Sequence, residues 1–327
     1  MRASSKKLVV IGGGTGSFTL LKSLKDHFTD ITALVNMADD GGSTGILRDE
    51  LGVLPPGDVR QCLVALSNAP QVRDLFNYRF EEGSFEGHAF GNLLMAALEK
   101  ITGSFTEGVE VASRILNITG RVEPVLLNAV VLCMETREGK VIRGQSIIEN
   151  SGFASSRPKF WLEPKPEVNP EAISAIRDAD AIVIAPGNLY ASLAPALLVP
   201  EISEAITASH APTIFVNNLV TKPGQTDDFQ VHDFVSEIER FIGAECIDIV
   251  LYNNTKPSQE LLDKYALQGE YGVVFDCKIM ENAHYQAIGG DFIGEIFKPN
   301  KKDLLRRTLI RHDSEAIAKA IIEVIHG

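Results

Sequence analysis

The stretch LVVIGGGTGSFTLLKSLK, Leu8 to Lys25, decides the fold. Four apolar β-formers run into three glycines, then Thr15 and Gly16, and apolar residues at helical spacing follow at once. A strand, a glycine turn and a helix start leave backbone N–H groups unpaired at the positive end of the helix dipole. The pattern predicts an anion site for phosphate or diphosphate, beside the plainer reading of a tight turn with no ligand. Two familiar phosphate motifs fail on spacing. A dinucleotide fingerprint on Gly12 and Gly14 puts Ser17 at its last glycine or alanine position. The Walker pattern lacks its Gly-Lys-Ser/Thr.

Outward from this turn, apolar strand-like runs alternate with helical segments. KKLVVI leads into a helix from Gly16 to about His27, and DITALVNM follows. PGDVRQCLVALSN, GNLLMAALEKIT and SFTEGVEVASRILNI read as helices, with Asp58 and Asn92 near the starts of the first two. Ser104 with Glu107 three residues on opens the third as a capping box. The Val-, Ile- and Leu-rich region near 121–163 reads as a small antiparallel β insertion, with REGK as a hairpin turn. Strand–loop–helix grammar then returns in DADAIVIAPGNLYASLAPALL, APTIFVNNL and CIDIVLYNN, with a helix near Val231 to Ile242. The tail DSEAIAKAIIEVI is an amphipathic helix with Asp313 as its N-cap. This is the pattern of a doubly wound three-layer α/β/α Rossmann-like fold with a mostly parallel sheet, read as one nucleotide-binding domain over 1–327.

Bulk properties narrow the class. The 327 residues are 45% hydrophobic and 23% charged, ordinary for a globular protein. A formal net charge of −12 argues against nucleic acid or an anionic membrane surface. Only four apolar residues precede the glycines, too few for a signal-peptide core, and no apolar run is long enough to span a bilayer. A cytoplasmic protein is expected. Cys62, Cys133, Cys246 and Cys277 are scattered without a C-x-x-C pair and read as buried, reduced thiols. The His residues form no zinc motif.

Ligands of open α/β sheets bind outside the carboxyl ends of the strands. Five such ends here are polar or glycine-rich: Gly12 to Gly16; Asn36 with ADDGGSTG; APGNLYAS; Asn217, Asn218 and Thr221 with KPGQTDD; and YNNTKPS. Together they predict one shared pocket. Gly13, Gly14, Thr15 and Gly16, with Gly187, Asn188, Leu189, Tyr190 and Ser192, offer N–H and hydroxyl donors for two adjacent phosphates. Asn217 and Asn218 offer amide edges to a base or sugar. Asp39 and Asp40 read either as magnesium ligands beside a diphosphate or as solvent-facing turn residues. Asp58 reads as a ligand-site acid or a helix cap.

With these motifs in view, the chain resembles the YvcK-type gluconeogenesis factors, relatives of the CofD 2-phospho-L-lactate transferases. The matching stretches include VVIGGGTGSFTLLKSLK, DDGGSTGILRDELGVLPPGDVRQCL, GNLLMAAL, PGNLYASLAPALLV, NNLVTKPGQTDDF and RHDSEAIAKAI. The second of these resembles the YvcK side, where CofD transferases carry a shorter, different segment. The resemblance implies a regulator that binds a UDP-sugar of the UDP-N-acetylglucosamine type. It also implies links to gluconeogenic growth, cell shape and cell-wall precursor supply, a protein partner in cell-wall metabolism, and room for homo-oligomers. Tyr265 and Arg311 look like the family's UDP-sugar contacts, and Ser314 stands where some members carry a phosphorylatable Thr. The CofD side implies an alternative: a magnesium-dependent transferase using Asp39, Asp40 and Asn92. A dinucleotide-binding protein is a weaker third reading, because Asn36 stands where a ribose-binding acid belongs.

Overall fold

The computed structural model describes residues 3–153, 156–294 and 311–326. Among the described residues ten strands form two sheets. The large sheet holds β1 (Ser4–Gly12), β2 (Phe28–Val35), β3 (Arg121–Pro124), β7 (Ala181–Ile184), β8 (Thr213–Val216), β9 (Ile249–Asn253) and β10 (Gln286–Gly290). Its order is β10-β9-β8-β7-β1-β2-β3, and every pairing is parallel. The small sheet is antiparallel, with β4 (Val131–Glu135) between β5 (Val141–Arg143) and β6 (Lys159–Glu163). Helices flank the large sheet, giving the doubly wound three-layer α/β/α arrangement that the alternating pattern predicts.

Strands buried on both faces need unbroken apolar runs. Leu8 to Ile11, Ala181 to Ile184 and Ile214 to Val216 supply them, and all are buried. From central β1 the chain winds outward through β2 and β3, then returns to β7 on the other side of β1 and continues to β10. The strand order therefore reverses between β1 and β7. At such a switch point the two following loops diverge and leave a crevice at the strands' carboxyl ends.

Several local expectations hold and some shift. The first helix, α1 (Gly14–His27), starts two residues earlier than the spacing suggests, because Gly14 itself takes the first helical position after extended Gly13. Next come α2 (Gly42–Leu51) and α3 (Gly57–Leu66). Ser104 caps its helix by accepting from the Glu107 N–H at 3.4 Å. Asp313 caps Ser314–His326 by accepting from the N–H groups of Glu315 and Ala316, each at 3.0 Å. That helix packs on α1, where the Ser23 and Ser314 hydroxyls lie 2.7 Å apart.

The antiparallel part begins later than residue 121. Arg121–Pro124 pairs in parallel with β2 and so belongs to the large sheet, where its edge position tolerates Pro124. REGK is the β4–β5 turn: the Thr136 N–H donates to the Lys140 carbonyl at 2.8 Å, and Gly139 takes φ +79°. Leu132, Met134 and Phe160 of the insertion join the same apolar core as the large sheet. All four cysteines are free; Cys62 and Cys133 are buried, but Cys246 is only half-buried and Cys277 is exposed, contrary to the expectation of four buried thiols. Among the described residues no single helix is long and apolar enough to cross a membrane.

Candidate functional site

A cavity of about 680 Å³ opens at the β1/β7 switch point. Loops following β1, β2, β7 and β8 line it, joined by the five-residue helix Gln145–Glu149 of the insertion and by Arg311 and His312. Of the predicted residues, Gly13, Gly14, Thr15, Gly16, Asp39, Asp58, Gly187, Asn188, Leu189, Ser192, Asn218, Thr221 and Arg311 face this one space.

The two glycine loops touch back to back. A Cβ on Gly16 would overlap the Pro186 carbonyl oxygen, so only glycine lets the start of α1 lie against the β7 loop. A Cβ on Gly13 would meet the Asp58 carboxylate. No side chain caps α1. The β7 loop is held by Asn188, whose Oδ1 accepts from the N–H groups of Tyr190 (3.2 Å) and Ala191 (3.1 Å). Leu189–Leu193 then forms a single π-helical turn. Asn218 ties the β8 loop to this one, its Nδ2 donating to the Gly187 carbonyl at 2.8 Å.

The acidic pair of the cavity is Asp39 with Asp58, from the β2 loop and the first turn of α3. Burial, then the negative charge of Asp39, pushes Asp58 up to about 7, against a hydrogen bond from the Gly14 N–H and the charge of Arg60. Burial also raises Asp39, against hydrogen bonds from the Gly41 N–H and Thr44. Asp40 turns away from the cavity. Its two oxygens cap the insertion helix, accepting from the N–H groups of Gln145 (3.0 Å) and Ser146 (2.7 Å). The expected Asp39–Asp40 pair is thus divided between the site and its scaffold.

Other predicted residues also build rather than line the cavity. Asn36 Oδ1 accepts from the Ala38 N–H at 2.8 Å, closing its own turn. Asn92 Oδ1 accepts from Arg60 Nε at 2.8 Å, behind the site. Tyr190 is buried among Phe153, Phe160 and Phe241, stacked on Phe160 at 5.2 Å, and anchors the insertion to the β7 loop. Asn217 is buried, and its Nδ2 donates to the Asn218 carbonyl at 2.8 Å. Tyr265 is buried against Leu219, Val220 and Ile293; the first two line the cavity, so Tyr265 backs its wall. The β9 loop does not reach the cavity, because β8 and β7 separate β9 from β1. Ser314 lies on the α1 side of its helix, with its hydroxyl on Ser23.

The sequence reading missed Gln145, Glu149, Lys222 and His312 among the lining residues. The insertion residues carry no local signal; only the tertiary return of the β5 connection brings them to the switch point. His312 is half-buried, and its Nε2 lies 2.9 Å from the Asn217 carbonyl. A carbonyl only accepts, so Nε2 carries the proton and Nδ1 is left as an acceptor. Burial pushes His312 down to about 4, against that hydrogen bond. Its imidazole is expected to stay neutral at pH 6 by NMR titration, with a midpoint near 4; a midpoint at or above 6.5 would contradict this placement.

Fold and cavity together define a parallel α/β protein with a cavity between two glycine loops at the sheet's switch point. The family model described as 2-phospho-L-lactate transferase CofD matches residues 8–293. The gluconeogenesis factor of Bacillus subtilis is 38% identical over 98% of this chain and 98% of its own. A putative gluconeogenesis factor of Thermotoga maritima is 42% identical over 96% and 98%. A Bacillus halodurans crystal structure, described as a member of the UPF0052 family, is 37% identical and superposes with a TM-score of 0.88 over 98% of this chain and all of its own. The chain belongs to the CofD family, among the gluconeogenesis factors.

Proposed function

We propose that the protein binds a UDP-sugar of the UDP-N-acetylglucosamine type in the β1/β7 cavity and acts in the cytoplasm as a regulator. Its bound state would inform a protein partner in cell-wall precursor supply and cell shape during gluconeogenic growth. The observation that carries the reading is the meeting of two glycine loops, from β1 and β7, over one cavity. Its volume lies within the usual range of small-molecule sites.

Charge sets a further condition. Asp39, Asp58, Glu149 and Glu270 line the cavity against Lys222 and Arg311, so a diphosphate meets more negative than positive side chains. Magnesium fits this donor set: two half-buried carboxylates whose like charges repel are what a hard divalent cation neutralises. Asp39 and Asp58 would hold it, and it would offset the charge of diphosphate oxygens. Among the described residues no three His, Cys, Asp or Glu form a metal centre by themselves, so the ligand's own oxygens would complete the shell. The glycine N–H groups orient the phosphates, and Asn218 with Thr221 faces the rest of the ligand.

The same residues suit the transferase reading, which the near-neutral Asp58 favours as an acid–base group. Release of a nucleoside monophosphate in the presence of hydroxyl acceptors would select it over the regulator. The dinucleotide reading loses support, since the Asn36 carboxamide is occupied within its own turn. UDP-N-acetylglucosamine at a hundredfold excess over its Kd is expected to add about 2.7 kcal/mol of stability. For a chain of this length the melting temperature should rise by a few degrees. Free N-acetylglucosamine should give no shift. No response to any uridine nucleotide at millimolar concentration would contradict the proposal.

A further inference from the structure

Among the described residues Lys222 is the one lysine lining the cavity, and it already has an anionic partner. Its Nζ donates to Glu149 Oε1 at 3.2 Å, bridging the β8 loop and the insertion helix. Both side chains are over a third exposed, at 35% and 41%, so water competes for the pair and its net worth is small. The two residues are nevertheless placed by rigid backbone. The Lys222 N–H donates to Thr226 Oγ1 at 2.8 Å, and its carbonyl accepts from the N–H groups of Gln225 and Thr226. Gln225 Nε2 clamps the far end of the insertion helix by donating to the carbonyls of Ile148 (2.9 Å), Glu149 (3.1 Å) and Ser151 (3.1 Å). Glu149 also accepts from Asn188 Nδ2 at 3.3 Å and Gln145 Nε2 at 3.4 Å. The glutamate is therefore held by several donors, while the lysine has a flexible four-carbon stem on a fixed turn.

We infer that Lys222 is the exchangeable cation of the cavity, kept by Glu149 in the ligand-free protein and passed to the diphosphate when a ligand enters. Glu149 is then a competitor of the ligand and not one of its contacts. The inference rests on the reading that the cavity takes a diphosphate. A diphosphate brings the ammonium more negative charge and more acceptor oxygens than a single wet carboxylate, and the pair is weak enough to exchange. A like charge beside a bound anion costs affinity, so neutralising Glu149 should tighten binding.

Calorimetric titration with inorganic pyrophosphate and with UDP-N-acetylglucosamine, both with magnesium, tests this on the wild-type chain, Glu149→Gln and Lys222→Met. Unliganded melting curves should show all three folded, since Gln is isosteric with Glu and Met keeps most of the unbranched lysine stem. Glu149→Gln is expected to bind both ligands roughly three- to tenfold tighter, and Lys222→Met about tenfold weaker. Unchanged or weakened binding in Glu149→Gln, or unchanged binding in Lys222→Met, overturns the inference. If the wild type binds UDP-N-acetylglucosamine but the variants match it, the inference falls and the UDP-sugar reading stands. If the variants order as expected with pyrophosphate while the UDP-sugar does not bind, the inference stands and that reading falls. Binding of neither ligand by the wild type refutes both.

Discussion

Replacing Gly16 with alanine is expected to destabilise the protein by on the order of 3 kcal/mol or more and to abolish ligand binding. The added Cβ would overlap the Pro186 carbonyl oxygen and lie 2.7 Å from its carbon. That neighbour is backbone, held by the strand pairing of β7 with β1 and β8, and cannot rotate away. Either α1 must tilt or the β7 loop must retreat, and both move the donors on which the site depends. Gly14→Ala is the control. Gly14 has φ +65°, but the nearest atom to its added Cβ is Asp58 Oδ1 at 3.8 Å. There the cost is the left-handed backbone alone, about 1–2 kcal/mol. Denaturant titration should separate the two variants clearly; equal losses would mean that the contact between the loops does not govern this part of the fold.

Asp58→Asn is expected to act in the opposite direction on the ligand-free protein. The folded chain keeps the Asp58 proton up to about pH 7, whereas the unfolded chain releases it near the ordinary aspartate value of 3.8. Stability from this group is full below pH 3.8 and is lost progressively as pH rises through about 7. Above that pH the half-buried carboxylate costs up to about 4 kcal/mol, at 1.36 kcal/mol for each pH unit between the two values. Asparagine keeps an acceptor for the Gly14 N–H and carries no charge. The variant should match the wild type near pH 4 and exceed it increasingly toward pH 8, while losing magnesium-dependent ligand affinity. Chemical denaturation across that range measures the difference. A variant less stable than wild type at pH 8 would show that the Asp58 charge is compensated in the folded protein.

The parts legible in the sequence are those whose cause is local. Leu8 to Gly16 specifies a buried parallel strand, a glycine turn and a helix start within a single stretch, and the turn's place on the cavity wall follows from where strands end. Ser104 and Asp313 declare their caps in the same way. The acidic pair was not legible, because Asp39 and Asp40 are adjacent in sequence yet face different neighbours. The backbone after β2 turns Asp39 toward Asp58 and delivers Asp40 to the N–H groups of Gln145 and Ser146, over a hundred residues away. Tyr190 and Asn92 misled for a related reason. A polar tip in a glycine-rich loop suggests a ligand contact, while the ring of Tyr190 is needed for the aromatic packing that secures the insertion. Glu149 and Lys222 needed the tertiary fold, since only the folded insertion brings them within 3.2 Å.

We propose a UDP-sugar held by its diphosphate at the β1/β7 crevice, with magnesium at Asp39 and Asp58. Calorimetric titration of the purified chain with UDP-N-acetylglucosamine, in magnesium and then in excess EDTA, tests it most directly. Saturable binding is expected, one ligand per chain, weakened about tenfold or more when the cation is removed, a change of at least 1.4 kcal/mol. No binding in the presence of magnesium, or binding of equal strength in EDTA, would contradict it.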